Sequence, residues 1–113
     1  FYGDGSTRRD YTYVDDIVDG VVRALDWTEE PGRYDVFNLS ESRTISLSEM
    51  VETLERALGV KAEITRLPAQ PGDVNRTWAD IQKAREILGY NPSTPFEEGI
   101  EQFVRWLKAQ RNP

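Results

Sequence analysis

The sequence predicts a small mixed α and β domain in which helices dominate the second half. Three observations carry that reading. Apolar residues recur at helical spacing in several segments, and short alternating runs bounded by glycine, proline and aspartate mark strands between them. Ser46-Leu-Ser-Glu49 and Thr94-Pro-Phe-Glu97 supply helix-start chemistry. At 113 residues the chain makes one domain at most.

Taken in order, Phe1-Tyr2 reads as the end of a strand, and Asp4-Gly5 as a hairpin turn leading into a second strand over 9–14. Asp15 or Asp16 is placed to cap a helix over 16–27. Its Ile17, Val18, Val21, Val22, Ala24 and Leu25 form an arc too wide for one buried face, so the helix is expected to pack on more than one side. Residues 34–39 read as a short buried strand through Val36, Phe37 and Leu39. A capping box at Ser46 opens a helix over 47–58, and Gly59 stops it. Residues 62–67 alternate as a strand, residues 68–75 form a loop stiffened by two prolines and a glycine, and 77–79 are briefly extended. Asp80 is expected to cap a helix over 81–88 that ends at Gly89, and Thr94, Pro95 and Glu97 to open a last helix over 95–110.

Composition narrows the function classes. A net charge of −6 argues against a nucleic-acid binder, so Arg8 and Arg9 form a local positive patch suited to one small anionic ligand. With no cysteine and no histidine, thiol catalysis, disulfides, the common zinc sites and a histidine base are excluded, and no metal is expected. No apolar run approaches the roughly 20 residues that span a bilayer, which leads to the expectation of a cytoplasmic protein. The chain lacks an initiator methionine and has only two residues ahead of its first turn, so it reads as a piece of something larger.

Gly3-Asp-Gly5 resembles the start of a dinucleotide loop, but Arg8 stands where the third glycine belongs. It reads as a turn. Of Arg8 and Arg9, alternation lets only one face a given pocket; a guanidinium fork suits phosphate oxygens, while composition alone favours a pair of solvated surface arginines with Asp10 nearby. Asp15-Asp16 and Glu97-Glu98 read as helix-start carboxylates rather than catalytic pairs. The loop 68–76 offers Gln70, Asp73, Asn75 and Arg76 to a sugar or ribose, or else simply connects two elements, and Trp78 beyond it is a core, rim or cleft residue. None of the five tyrosines has a lysine four positions later, and no convincing general base is present.

The ordered set of runs resembles the C-terminal part of the extended short-chain dehydrogenase/reductase family, the NAD-dependent nucleotide-sugar epimerases and dehydratases. Gly3 to Ile17 is similar to that family's segment after its Rossmann core. Phe37-Asn-Leu39, Gln70-Pro-Gly-Asp73, Thr77-Trp-Ala-Asp80 with Lys83-Ala84, Leu88-Gly-Tyr90 and Pro95 to Ile100 follow in order, covering essentially the whole chain. Within the family, Gln70-Pro-Gly-Asp-Val74 and Arg76-Thr-Trp-Ala-Asp80 are most similar to UDP-glucuronate 4-epimerases.

The resemblance implies an α/β substrate-binding region whose NAD-binding Rossmann domain, glycine-rich loop and Tyr-x-x-x-Lys dyad lie outside this chain. It implies that Arg9 binds the UDP diphosphate, Tyr11 lies beside the nucleotide, Gln70 belongs to a loop closing over it, and Asp73 approaches the ribose. UDP-glucose 4-epimerases typically carry a basic residue where Gln70 stands, so Arg9 or Arg76 would carry more of the phosphate contact. Such enzymes epimerise C4 through a transient 4-keto sugar. The family further implies that residues 15–40 pack on the missing sheet. Alone, the chain is expected to lack catalytic residues and activity, and to self-associate through uncovered apolar surface.

Overall fold

A computed structural model describes residues 1–112. Its elements are strand β1 (Arg8–Arg9), helix α1 (Val14–Trp27), strand β2 (Ile45–Ser46), and helices α2 (Leu47–Leu58), α3 (Gln82–Leu88) and α4 (Phe96–Arg111). This is the mixed architecture the sequence predicts, with less strand and more extended backbone than expected.

β1 and β2 pair antiparallel, with Arg8 opposite Ser46 and Arg9 opposite Ile45. Arg8 is also bridged in parallel to Arg76, so β1 lies between β2 and the end of the 68–76 loop. The core sits to one side of this ladder. Ile81, Ala84, Leu88 and Tyr90 are buried there, with Ala24 and Trp27 of α1 and Phe37 and Leu39 packed against them. Gly20 permits that packing: a Cβ on it would meet Leu39 Cδ1 at 2.7 Å and a Tyr90 ring carbon at 3.0 Å. The second layer is α2 against α4, where Val104 is buried.

Local signals are borne out where they are self-contained. Ser46 Oγ accepts the Glu49 amide at 3.1 Å and Glu49 Oε2 accepts the Ser46 amide at 2.7 Å, completing the capping box of α2. Gly59 and Gly89 end α2 and α3 with φ of 71° and 66°, the left-handed cap that glycine adopts without strain.

Other expectations are corrected. The Gly3-to-Gly5 turn exists, held by Asp4 Oδ1 accepting from the Ser6 amide, but it joins no hairpin. Phe1 and Tyr2 lie against 65–67 instead: the Leu67 amide donates to the Phe1 carbonyl and the Gly3 amide to the Leu67 carbonyl. The expected strand over 9–14 shrinks to Arg8–Arg9, because α1 already begins at Val14. Neither Asp15 nor Asp16 caps α1; the N-cap position is Tyr13, and Asp16 is buried facing another element. Residues 34–39 form no strand, since no backbone among the described residues pairs with them, and Val36 is 68% exposed. Of 62–67 only Leu67 makes a bridge. Helix α3 starts one residue late, with Asp80 Oδ1 accepting the Gln82 amide just outside it. The capping box at Thr94 does not form: Pro95 is the N-cap of α4, the Thr94 amide goes to Asp16, and Glu97 pairs with Arg56 at 3.2 Å.

Candidate functional site

The two neighbouring arginines of β1 part company, as strand alternation requires. Arg8 turns toward the start of α2. Its Nε donates to Thr44 Oγ1 at 2.9 Å, its Nη2 donates to the Thr44 carbonyl at 2.7 Å, and Glu49 lies 3.4 Å away. Arg9 turns the other way and donates from Nη2 to Asp73 Oδ1 at 2.5 Å, and from Nη1 to the Arg8 carbonyl at 2.8 Å. Arg8 is therefore committed to structure. Arg9 has used two of the five N–H donors of a guanidinium, and three have no partner among the described residues.

The backbone holds the Asp73 loop against β1. The Arg8 amide donates to the Asn75 carbonyl at 2.8 Å, and the Thr77 amide donates to the Arg8 carbonyl at 3.2 Å. Within the loop the Asp73 amide donates to the Gln70 carbonyl at 3.2 Å, and Gly72 supplies the required φ of 82°. Asp73 is thus delivered to Arg9 by local turn chemistry plus two ladder bonds. Gln70 is exposed, three residues away in the same turn.

The five residues singled out in the sequence divide in space. Arg9 and Asp73 are in contact, with Gln70 beside Asp73. Arg76 is bridged to Arg8, and bridged residues project to one face, so it sits on the Arg8 side of the ladder. Its guanidinium lies 4.6 Å over the Trp78 ring, which is itself 59% exposed. Tyr11 packs against Phe96 with ring centroids 5.5 Å apart and the rings tilted by 40°. It forms the shared rim of two hollows, one of about 280 Å³ toward α2 and one of about 490 Å³ between the start of α1 and α4. Arg9, Gln70, Asp73 and Arg76 line neither hollow. They form an open edge.

Sequence reasoning missed the residues around Tyr11. Phe96 could have been found, because a first-turn aromatic after Thr94-Pro95 is a helix-entry signal; Glu41 could not, because a glutamate between two serines reads as solvated loop. Yet Glu41 is half-buried, with its Oε1 enclosed. Burial, then the hydrogen bond it donates to Asp16 and the charge of Asp16, push its carboxyl up to about 8, with Arg43 opposing. Tyr90 is pushed up to about 12, by burial and then by Asp16 and Glu41, so it stays neutral in the core. The residues present do not fit NAD. The would-be cradle at Gly5 is already filled, since a Cβ there would lie 2.1 Å from Ser48 Oγ and 2.6 Å from the Phe1 ring, and the turn leads into β1 rather than a helix. Among the described residues, no group of three or more His, Cys, Asp or Glu is placed to hold a metal, and no helix is long and apolar enough to cross a membrane.

Residues 1–103 match the GDP-mannose 4,6 dehydratase family. The UDP-glucuronate 4-epimerase of Thermodesulfobacterium geofontis is 40% identical over 108 residues, which cover 95% of this chain and 32% of that protein. The crystal structure of Thermotoga maritima UDP-glucose 4-epimerase with UDP-glucose superposes with a TM-score of 0.86 at 32% identity, over 99% of this chain and 35% of that one. Bacillus cereus UDP-glucuronic acid 4-epimerase, in complex with UDP-glucuronic acid and NAD, gives 0.85 at 34% identity, over 97% and 35%. The chain therefore spans about a third of the length of the proteins it matches. Sharing sequence and fold with them along nearly all of its own length, it belongs to the extended short-chain dehydrogenase/reductase family, in the nucleotide-sugar epimerase and dehydratase branch, and corresponds to its C-terminal part.

Proposed function

We propose that this chain is the nucleotide-sugar-binding part of an NAD-dependent sugar 4-epimerase, acting on UDP-glucuronate in a cytoplasmic parent. The observation that carries the reading is the Arg9–Asp73 pair, fixed at 2.5 Å by the ladder between β1 and the 68–76 loop. It sets a permanent cation with three unused donors beside a carboxylate, the chemistry that suits a diphosphate next to a ribose. Tyr11 and Gln70 flank the nucleotide in this reading, and Arg76 on its Trp78 platform adds a second cation from the far face. NAD, held by the rest of the parent, supplies hydride acceptance and return at C4. This chain's own residues bind and orient, and it has no turnover alone.

The match to a dehydratase family and the Thermotoga maritima structure support a second reading, in which the parent is a nucleotide-sugar 4,6-dehydratase or UDP-glucose 4-epimerase. A purely structural module is the alternative from another class. The exposed side of α1, with Val18, Val21, Val22 and Leu25, is proposed to pack on the parent's Rossmann sheet, and without that cover to drive a homodimer or larger assembly. Titrating UDP, UDP-glucuronate and UDP-glucose while following Trp78 fluorescence tests the binding reading. A saturable change, strongest with UDP-glucuronate, is expected; no saturable change with any of the three contradicts it.

A further inference from the structure

Carboxylates from three parts of the chain act on one another at Glu41. Asp10 follows β1 and accepts the Ala79 amide at 3.3 Å through Oδ2. Asp16, in the first turn of α1, is buried and accepts the Thr94 amide at 3.0 Å and the Ser93 amide at 3.5 Å. Glu41, in the loop before β2, is anchored by its own amide, which donates to Thr12 Oγ1 at 3.2 Å. The Glu41 carboxyl is in hydrogen-bond contact with that of Asp16. Glu41 Oε1 and Asp10 Oδ1 are buried with no partner. Two ionised carboxylates are acceptors only, so a hydrogen bond between them requires a proton.

The surroundings do not supply a lysine to neutralise the cluster. Arg43 acts on Glu41 from its own loop and Asp10 from the end of β1, and the neutral Tyr90 phenol, in the segment before α4, donates to the neighbouring Ser40 carbonyl at 3.4 Å. Across the smaller hollow stand Glu49, Glu52 and Arg56 of α2 and Glu97 of α4, with Arg56 already paired to Glu97. We propose that one proton shared between Glu41 and Asp16 is a clasp fastening the loop before β2 to the start of α1, next to the bonds by which Asp16 holds the segment that enters α4, and that the clasp loosens when the proton leaves. Phe96 follows two residues after Thr94, so the clasp also sets how Phe96 meets Tyr11.

Its pH dependence has a definite sign. Burial would raise Asp16 as well, but the bonds from Glu41, Thr94 and Ser93 outweigh it and hold Asp16 below the usual carboxylate range. Glu41 goes the other way, from an ordinary 4.5 to about 8. Between those values the folded chain keeps a proton that the unfolded chain has lost. The stability conferred is complete below the ordinary glutamate range and is lost as pH rises to about 8. The sequence has no histidine and no cysteine, the side chains whose ordinary ranges would overlap this one.

The test follows the denaturant midpoint and the Thr94 amide resonance across that range in the wild-type chain and in Glu41→Gln, whose amide still donates to Asp16 but does not titrate. The wild-type midpoint should fall with rising pH, and the Thr94 resonance should move with a single midpoint near 8. Both effects should vanish in Glu41→Gln. An infrared band from one protonated carboxyl at neutral pH, expected in the wild-type chain, needs no variant. A flat wild-type profile, the same slope in Glu41→Gln, or no such band overturns the clasp.

Discussion

On its inner side α1 brings Gly20 against Leu39 and Tyr90 and buries Asp16, whereas its outer side leaves Val18, Val21, Val22 and Leu25 between 49% and 67% exposed. Both sides are apolar in sequence, and only one has a partner within the chain. β1 repeats the contrast at smaller scale. Arg8 is bound into Thr44 and Glu49, while Arg9, one residue on, holds a single carboxylate at an open edge. In both places the closed side maintains the domain and the open side is available to something else. Substitutions on the two sides should therefore fail differently.

The largest effect is expected on the closed side. Tyr90 is 1% exposed and fills the space between α1 and α3, so Tyr90→Ala should cost about 3–5 kcal/mol in denaturant unfolding, enough to unfold much of a small domain. Arg8→Ala removes two hydrogen bonds and leaves Thr44 and Glu49 without their cation. With the side chain 37% exposed, the cost should be about 1–2 kcal/mol. On the open side, Val18→Ser with Val22→Ser should change monomer stability by only about 0.5 kcal/mol. The same pair should shift the chain toward monomer in concentration-dependent light scattering. A stability loss as large as that of Tyr90→Ala would mean the outer face is packed after all.

What was legible in the sequence follows the same division. The α2 capping box and the Gly59 and Gly89 stops were readable because every group involved lies within a few residues. Residues 34–39 have the composition of a strand, but a strand needs a partner's backbone, and none is supplied among the described residues. Thr94 was misread because its amide is taken by Asp16, 78 positions away in sequence, which no local pattern records. Asp16 left the capping role for the same reason. At the candidate site, the Gln70-to-Asp73 turn and the divergence of Arg8 from Arg9 were legible from turn chemistry and alternation. Which arginine faces the loop depended on the pairing of β1 with Arg76, and Glu41 gave no sign of its burial.

Arg9, and not Arg8, is proposed as the anion-binding member of the pair. The direct measurement is UDP affinity, followed by Trp78 fluorescence, in the wild-type chain, Arg9→Ala and Arg8→Ala at a common low salt concentration. Arg9→Ala should bind at least about tenfold more weakly, as expected for loss of a charge-assisted contact of about 1.4 kcal/mol or more, while its folding stability changes by less than about 1 kcal/mol. Arg8→Ala should lose stability and, where folded, keep its affinity within about threefold. Equal losses of affinity in both variants, or an Arg9→Ala chain that binds UDP as well as the wild type, would contradict the account.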